Sequence, residues 1–342
     1  MTSPPLRVLV CDDSPTYAAG LRRLVEHGHD VEVVAVHGNA EDAIAALAEL
    51  KPDLITMDVQ LPGIGGLEAV ERIMYAHPLP ILVLSSRTAR SRATAAAACA
   101  AGALQAIEKD DLNLFELDGA SAVAFRRRLR VLASARVIRH PRAGLRKSGA
   151  ATDLLAPRSL QAIGICASAG GPQALMELIG ELPGSFEVPI LVVQHIADGF
   201  TDRLVTWLAR GAQIPVRLAE HGRSLRPGVW IAPENQHLML SADHSFALAE
   251  PSTPTLYCPS GDVLLHSLTD HAGASAAGIV LSGMGSDGAD GLAALRLSGG
   301  LTIAQDEATS VVFGMPKVAA QRGAEHVLCP QAIAAALIQL SV

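Results

Sequence analysis

Twice along this chain, short aliphatic runs alternate with segments of helical periodicity, and most runs stop at a polar or acidic residue. The first series of runs is 6–11, 31–36, 54–57, 81–84 and 106–107, with helical patterns at 15–26, 40–50, 67–75 and 92–101. The second is 162–167, 189–193, 228–233, 275–281 and 301–306, with helices expected after Pro172, over 201–209 and from Ala289. Runs without polar alternation are strands buried on both faces, and strands separated by helices pair in parallel. The chain is thereby restricted to an α/β class, two doubly wound parallel sheets, with ligands expected at the carboxyl ends of the strands. A hairpin, 237–240 with 246–249, interrupts the second series.

A chain of 342 residues has room for two domains. Apolar residues make up 49% but aromatics only 3%, so both cores must be built from Ala, Leu, Val and Ile. No apolar run has the length of a membrane span, and residues 1–5 lack the charged and apolar regions of a signal peptide, so a cytoplasmic protein with no membrane insertion is expected. Five scattered cysteines, at 11, 99, 166, 258 and 329, with no Cys-x-x-Cys, fit a reducing compartment and no zinc site.

Charge divides the chain further. Residues 1–118 and 159–342 are each acidic, whereas 119–158 carries ten basic residues and one acidic one. The expected organisation is a first domain over 1–118, a basic linker over 119–158 and a second domain over 159–342. Within the linker, 125–132 reads as a basic amphipathic helix and 139–149 as a flexible tether, with contact to acidic partner surfaces as the sharper alternative. Neither domain is basic, which argues against nucleic acid as a partner.

In the first domain the strand ends gather Asp12, Asp13 and Asp58 on one edge of the sheet. Three carboxylates repel one another unless a cation sits among them, and a small oxygen donor set suits Mg²⁺ completed by water and a phosphoryl group. Ser85 and Lys109 end two further strands and reach the same edge. Val8-Leu9-Val10-Cys11-Asp12-Asp13-Ser14, Asp53-Leu54-Ile55-Thr56-Met57-Asp58, Leu61-Pro62, Ser85 and Lys109 together resemble the receiver domain of bacterial response regulators, a flavodoxin-like fold. The resemblance implies that Asp58 accepts a phosphoryl group from a histidine kinase. It also implies that Asp12, Asp13 and Asp58 hold Mg²⁺ and that Ser85 and Lys109 contact the phosphate. Three positions depart from the family pattern: Gly65 for an Asp, Asp110 for the Pro after the Lys, and Ala106 where an aromatic switch residue often sits.

In the second domain the run 162–167 leads into Ser168-Ala169-Gly170-Gly171-Pro172 and then a helical pattern. Alone, this turn is equally a helix cap or a phosphate-binding loop, and Cys166 breaks the Gly-x-Ser-x-Gly elbow of α/β-hydrolases. His195 follows the next strand, and Asp287 lies in Gly283-Met284-Gly285-Ser286-Asp287-Gly288 after a later one. A serine needs a base to attack at neutral pH, and the base needs an acceptor to orient it. Ser168, His195 and Asp287 at three strand ends meet that requirement, and the backbone around Met284 and Gly285 offers N–H groups for an oxyanion.

With Gln194-His195, Phe200-Thr201, Ile231-Ala232-Pro233, Asp262-Val263-Leu264 and the run Gln305–Pro316, the whole chain resembles the chemotaxis-type protein-glutamate methylesterases, receiver-regulated enzymes with a Rossmann-like catalytic domain that also deamidate receptor glutamines. The resemblance implies Ser168 as nucleophile, His195 as base, Asp287 as its orienter and the Met284 N–H as oxyanion donor. It implies methyl-accepting chemoreceptors as substrates, the histidine kinase of a chemosensory array as phosphodonor, and no cofactor for the esterase step. Ala169 stands where the family often has Thr. The alternative is a receiver-controlled binding or scaffold protein whose second domain is catalytically inactive.

Overall fold

The computed structural model describes residues 4–135, 159–196, 198–251 and 257–340. The chain divides into two compact units, Met1–Leu145 and Arg146–Val342. The expected tether at 139–149 lies outside the described residues.

In the first unit the elements run β1 (Leu6–Cys11), α1 (Pro15–Glu26), β2 (Val31–His37), α2 (Ala40–Leu50), β3 (Leu54–Asp58), α3 (Gly65–Ala76), β4 (Ile81–Ser85), α4 (Ala89–Ala100), β5 (Gln105–Glu108) and α5 (Ala120–Ala133). The five strands form one parallel sheet in the order β2-β1-β3-β4-β5. Every residue of β3 and β4 is buried, as strands covered by helices on both faces require. Ser14 caps α1 by accepting the Tyr17 N–H at 3.3 Å, with Pro15 in the first turn, and Asn39 caps α2 through the Asp42 N–H at 2.8 Å.

The basic helix expected to open the linker is instead α5, the last helix of the first unit, packed against α1, β3 and β4. Its stripe Ala122, Phe125, Leu129 and Leu132 is buried. One of its arginines is structural: Arg126 donates from Nη1 to the carbonyls of Leu24 at 3.1 Å and Leu117 at 2.8 Å. The apolar spacing of α5 decides its place, and its charge does not.

The second unit contains β6 (Ala162–Ala167), α6 (Gly171–Gly180), β7 (Ile190–Gln194), α7 (Thr201–Gly211), β8 (Val216–Leu218), β9 (Val229–Ile231), β10 (His237–Leu240), β11 (Phe246–Ala249) and α8 (Gly261–His271). It continues with β12 (Ala276–Val280), α9 (Ala289–Leu297), β13 (Leu301–Gln305), α10 (Met315–Arg322), β14 (His326–Leu328) and α11 (Pro330–Leu340). Seven strands make a parallel sheet ordered β14-β13-β12-β6-β7-β9-β8, and β10 pairs antiparallel with β11 as expected.

Alternate residues of β6 feed two cores. Ile163, Ile165 and Ala167 join α6, α7 and α11 on one face. Ala162 and Cys166 join α8, α9, α10 and the hairpin on the other, where Trp230 tilts against Phe246. The chain leaves β6 toward β7 on one side and returns later to β12 on the other. This reversal of strand order opens a crevice at the carboxyl end of β6, where open α/β sheets place their sites. Among the described residues no helix is long and apolar enough to cross a membrane.

Candidate functional site

Ser168 is the first residue after β6 and is buried. Its N–H donates to Ser282 O at 3.0 Å, tying it to the end of β12, and its carbonyl accepts from Gly171 N at 2.8 Å and Gln194 Nε2 at 2.8 Å. Ser282 locks the turn from the other side. Its hydroxyl donates to Ala169 O at 2.7 Å and accepts the Val312 N–H at 2.9 Å. Gly283 must be glycine here, because a Cβ would stand 2.8 Å from Ser168 Cβ and 2.3 Å from Met315 Sδ.

His195 follows β7, held by its N–H to Ala167 O at 2.9 Å. Its Nε2 lies 2.8 Å from Asp287 Oδ2. A carboxylate only accepts, so Nε2 carries a proton, and in the neutral ring the lone pair then falls on Nδ1. Nδ1 is buried and makes no hydrogen bond, and Ser168 Oγ makes none to it. The bond to Asp287 thus fixes the ring and leaves Nδ1 without a partner. Its ring stacks on Tyr257, with centroids 4.7 Å apart and planes 7° from parallel.

Asp287 is buried. Burial alone would push its carboxyl up, but the hydrogen bond and charge of His195 and the N–H groups of Gly261 and Asp262 hold it below the ordinary carboxylate value. It is therefore an anion at neutral pH. Among the described residues the N–H of Met284 has no hydrogen-bond partner, and a Cβ on its neighbour Gly283 would stand 2.8 Å from Ser168 Cβ. A backbone donor is thereby left over in the loop that follows Gly283, and an oxyanion is stabilised by such donors. The arrangement holds an alcohol, an imidazole, a buried anion and a backbone N–H at one sheet edge, the group types that acyl transfer uses.

In the first unit, carboxylate oxygens of Asp12, Asp13 and Asp58 lie within 4.8 Å of one another. Lys109 Nζ is 2.6 Å from Asp12 Oδ2 and 2.6 Å from Asp58 Oδ2, and it sits 4.5 Å over the Tyr17 ring. Asp12 Oδ1 accepts the Ser14 N–H at 3.0 Å, and Asp58 Oδ1 accepts the Gln60 N–H at 2.9 Å. Burial pushes the Asp12 carboxyl above its ordinary value despite Lys109, while the bonds to both aspartates outweigh burial and raise Lys109. One lysine thus undercompensates the cluster, and the donor set fits a hard divalent cation. Ser85 is at the same edge, but its hydroxyl bonds Ser86 O at 3.1 Å and Ser91 Oγ at 3.0 Å.

Tyr257, Ser260 and Gly261 also meet the His195–Asp287 pair, and no motif in the sequence marks them for it. Ser260 before Asp262-Val263-Leu264 has the form of a helix cap, and that signal was available. Nothing local to residues 257–261 points to Asp287.

Residues 163–337 match the family described as CheB methylesterase, and residues 8–117 match the response regulator receiver domain. A protein-glutamate methylesterase/protein-glutamine glutaminase 2 of Anaeromyxobacter dehalogenans (strain 2CP-C) is 43% identical over 342 residues, covering 98% of this chain and 97% of the relative. A protein-glutamate methylesterase/protein-glutamine glutaminase 3 of Myxococcus xanthus (strain DK1622) is 40% identical over 326 residues, covering 92% and 88%. Among solved structures, the CheB methylesterase catalytic domain of Thermotoga maritima aligns with a TM-score of 0.51 and 37% identity, over 53% of this chain and 99% of that one.

Proposed function

The chain belongs to the CheB methylesterase family and carries a response regulator receiver domain ahead of the esterase, and on that premise we propose that Ser168, His195 and Asp287 hydrolyse the γ-glutamyl methyl esters of chemoreceptors. The observation that carries this reading is the His195–Asp287 pair, which leaves the Nδ1 lone pair inside the site. Ser168 Oγ attacks the ester carbonyl carbon while His195 Nδ1 takes its proton. The carbonyl oxygen becomes an oxyanion and accepts the Met284 N–H. The tetrahedral intermediate collapses, and His195 returns the proton to the departing methoxide, giving methanol and a glutamyl-serine ester. Water, activated by the same imidazole, frees glutamate and Ser168. With receptor glutamine the leaving group is ammonia, and the same steps give deamidation. These steps need no cofactor.

In the receiver, Asp58 takes the phosphoryl group from the histidine kinase of a chemosensory array. Asp12, Asp13 and Asp58 would hold Mg²⁺, which supplies neutralising charge to the phosphoryl oxygens when bound. Lys109, already at 2.6 Å from Asp58, holds a phosphoryl oxygen, and Ser85 reaches it by rotating its hydroxyl away from Ser86 and Ser91. Phosphorylation releases an esterase that the receiver otherwise restrains, in the cytoplasm.

The test is methanol release from a methylated receptor. Wild type turns over and Ser168→Ala does not. Turnover by Ser168→Ala overturns the assignment, and no turnover by wild type with a phosphodonor and Mg²⁺ favours an inactive scaffold.

A further inference from the structure

We infer that the segment Tyr257–Asp262, between the hairpin and α8, positions both members of the His195–Asp287 pair, with Ser260 fixing the carboxylate and Tyr257 the imidazole. The inference rests on the triad reading and adds residues to it.

Asp287 is bound on both oxygens. Oδ2 accepts from His195 Nε2 at 2.8 Å and from Gly261 N at 2.6 Å, while Oδ1 accepts from Ser260 Oγ at 2.8 Å and from Asp262 N at 3.1 Å. Three of these four donors come from the first turn of α8 and its cap. That turn also presents the positive end of the helix dipole to the carboxylate. A carboxylate gripped on one oxygen only could swing about its Cβ–Cγ bond. Held on both, its plane is fixed, and so is the direction in which it fixes the imidazole.

Ser260 is itself anchored. Its N–H donates to His237 Nδ1 at 3.2 Å, and its hydroxyl also accepts the Val263 N–H at 3.4 Å. The hydroxyl proton is then directed at Asp287, since a carboxylate accepts and never donates. The hairpin strand β10 therefore braces the acid from the far side of the helix cap.

Tyr257 lies three residues before Ser260. Its ring covers one face of His195, and an imidazolium gains from an aromatic face as a neutral imidazole does not. Its hydroxyl reaches the loop of Met284: a Cβ on Gly285, whose φ is +97°, would stand 2.5 Å from Tyr257 Oη. The same ring thus spans the base and the loop that carries the spare N–H.

The charged and titratable groups around the pair are few among the described residues. Asp287 and Tyr257 face His195, and Cys166, His237 and Asp262 lie around Asp287. Burial raises Cys166 well above its ordinary value and lowers His237, so both stay uncharged at neutral pH.

The experiment measures kcat, KM and the pH profile of methanol release from methylated receptor by the full chain, after confirming that Ser168→Ala is inactive. Ser260→Ala should lower kcat about tenfold with KM changed by less than about twofold, because a charge-assisted bond to the pair is lost and no receptor contact is. With one donor gone, the carboxylate holds the imidazolium proton more tightly, so the acid limb should move to higher pH by about half a unit. Ser260→Thr should restore both. Tyr257→Leu should also lower kcat but move the acid limb to lower pH, and Tyr257→Phe, which keeps the aromatic face, should hold the limb at its wild-type position.

Wild-type kcat and limb in both Ser260→Ala and Tyr257→Leu, with Ser168→Ala dead, overturn this inference and leave the triad standing. Loss of kcat matched by loss of folded protein, with the limb unmoved, also overturns it. A live Ser168→Ala overturns the triad reading first.

Discussion

His195 Nε2 lies 2.8 Å from Asp287 Oδ2 although 92 residues separate them in sequence. The bond selects the tautomer in which Nδ1 is free to accept. Asp287→Asn offers an amide that can present NH₂ to Nε2, which would move the ring proton to Nδ1 and remove the base. kcat for methanol release is expected to fall about 10³- to 10⁴-fold with the fold kept.

Ser168→Ala and His195→Ala should each abolish turnover to a similar extent, and the double variant should be no worse than either. Steady-state rates on one methylated receptor check this. A double variant far slower than both singles would mean that the two residues act in separate steps.

Asp287 also links catalysis to stability. Its folded pKa lies below the unfolded value, so it contributes stability that is present above about pH 4 and lost as pH falls through the lower folded value. Urea melts of wild type and Asp287→Asn should differ most at neutral pH and converge below about pH 4.

Asp12 has the opposite sign. Its folded pKa is raised by burial, so its ionised form opposes folding, a penalty absent below about pH 4 and growing as pH rises through the folded value. Asp12→Asn should raise the neutral-pH melting temperature of the metal-free protein by about 4 °C. It should also erase the stabilisation that Mg²⁺ gives wild type. Calorimetry with Mg²⁺ and with chelator separates the two effects.

Asp58→Asn should block labelling by a small phosphodonor, and chelating the metal should do the same in wild type. A fragment beginning near residue 158 should demethylate receptor faster than the unphosphorylated full chain, and a phosphodonor should speed only the full chain. Equal rates without phosphodonor would make the receiver a docking or activating module.

Much of this was legible because strands buried on both faces are written as unbroken aliphatic runs. Asp12, Asp58, Ser168 and His195 were findable as the residues at which such runs stop or are followed, and the hairpin showed the alternation of a two-stranded ribbon. The signal failed where tertiary packing overrides composition. The arginines of α5 suggested a solvated linker, yet Phe125 and Leu129 bury that helix and Arg126 serves backbone carbonyls within the fold. The cap of α8 was visible as local chemistry, but Ser260 meets Asp287 only after β12 has paired with β6. No window of sequence contains that meeting.

The place of β6 between β7 and β12 has a temporal consequence. On the ribosome, Ser168 and His195 emerge well before β12, the strand that precedes Asp287. A nascent or truncated chain therefore carries Ser168 and His195 before Asp287 has been made. Esterase activity in a refolding experiment should therefore appear only after the long detour through the hairpin and α8 has closed and β12 has paired with β6.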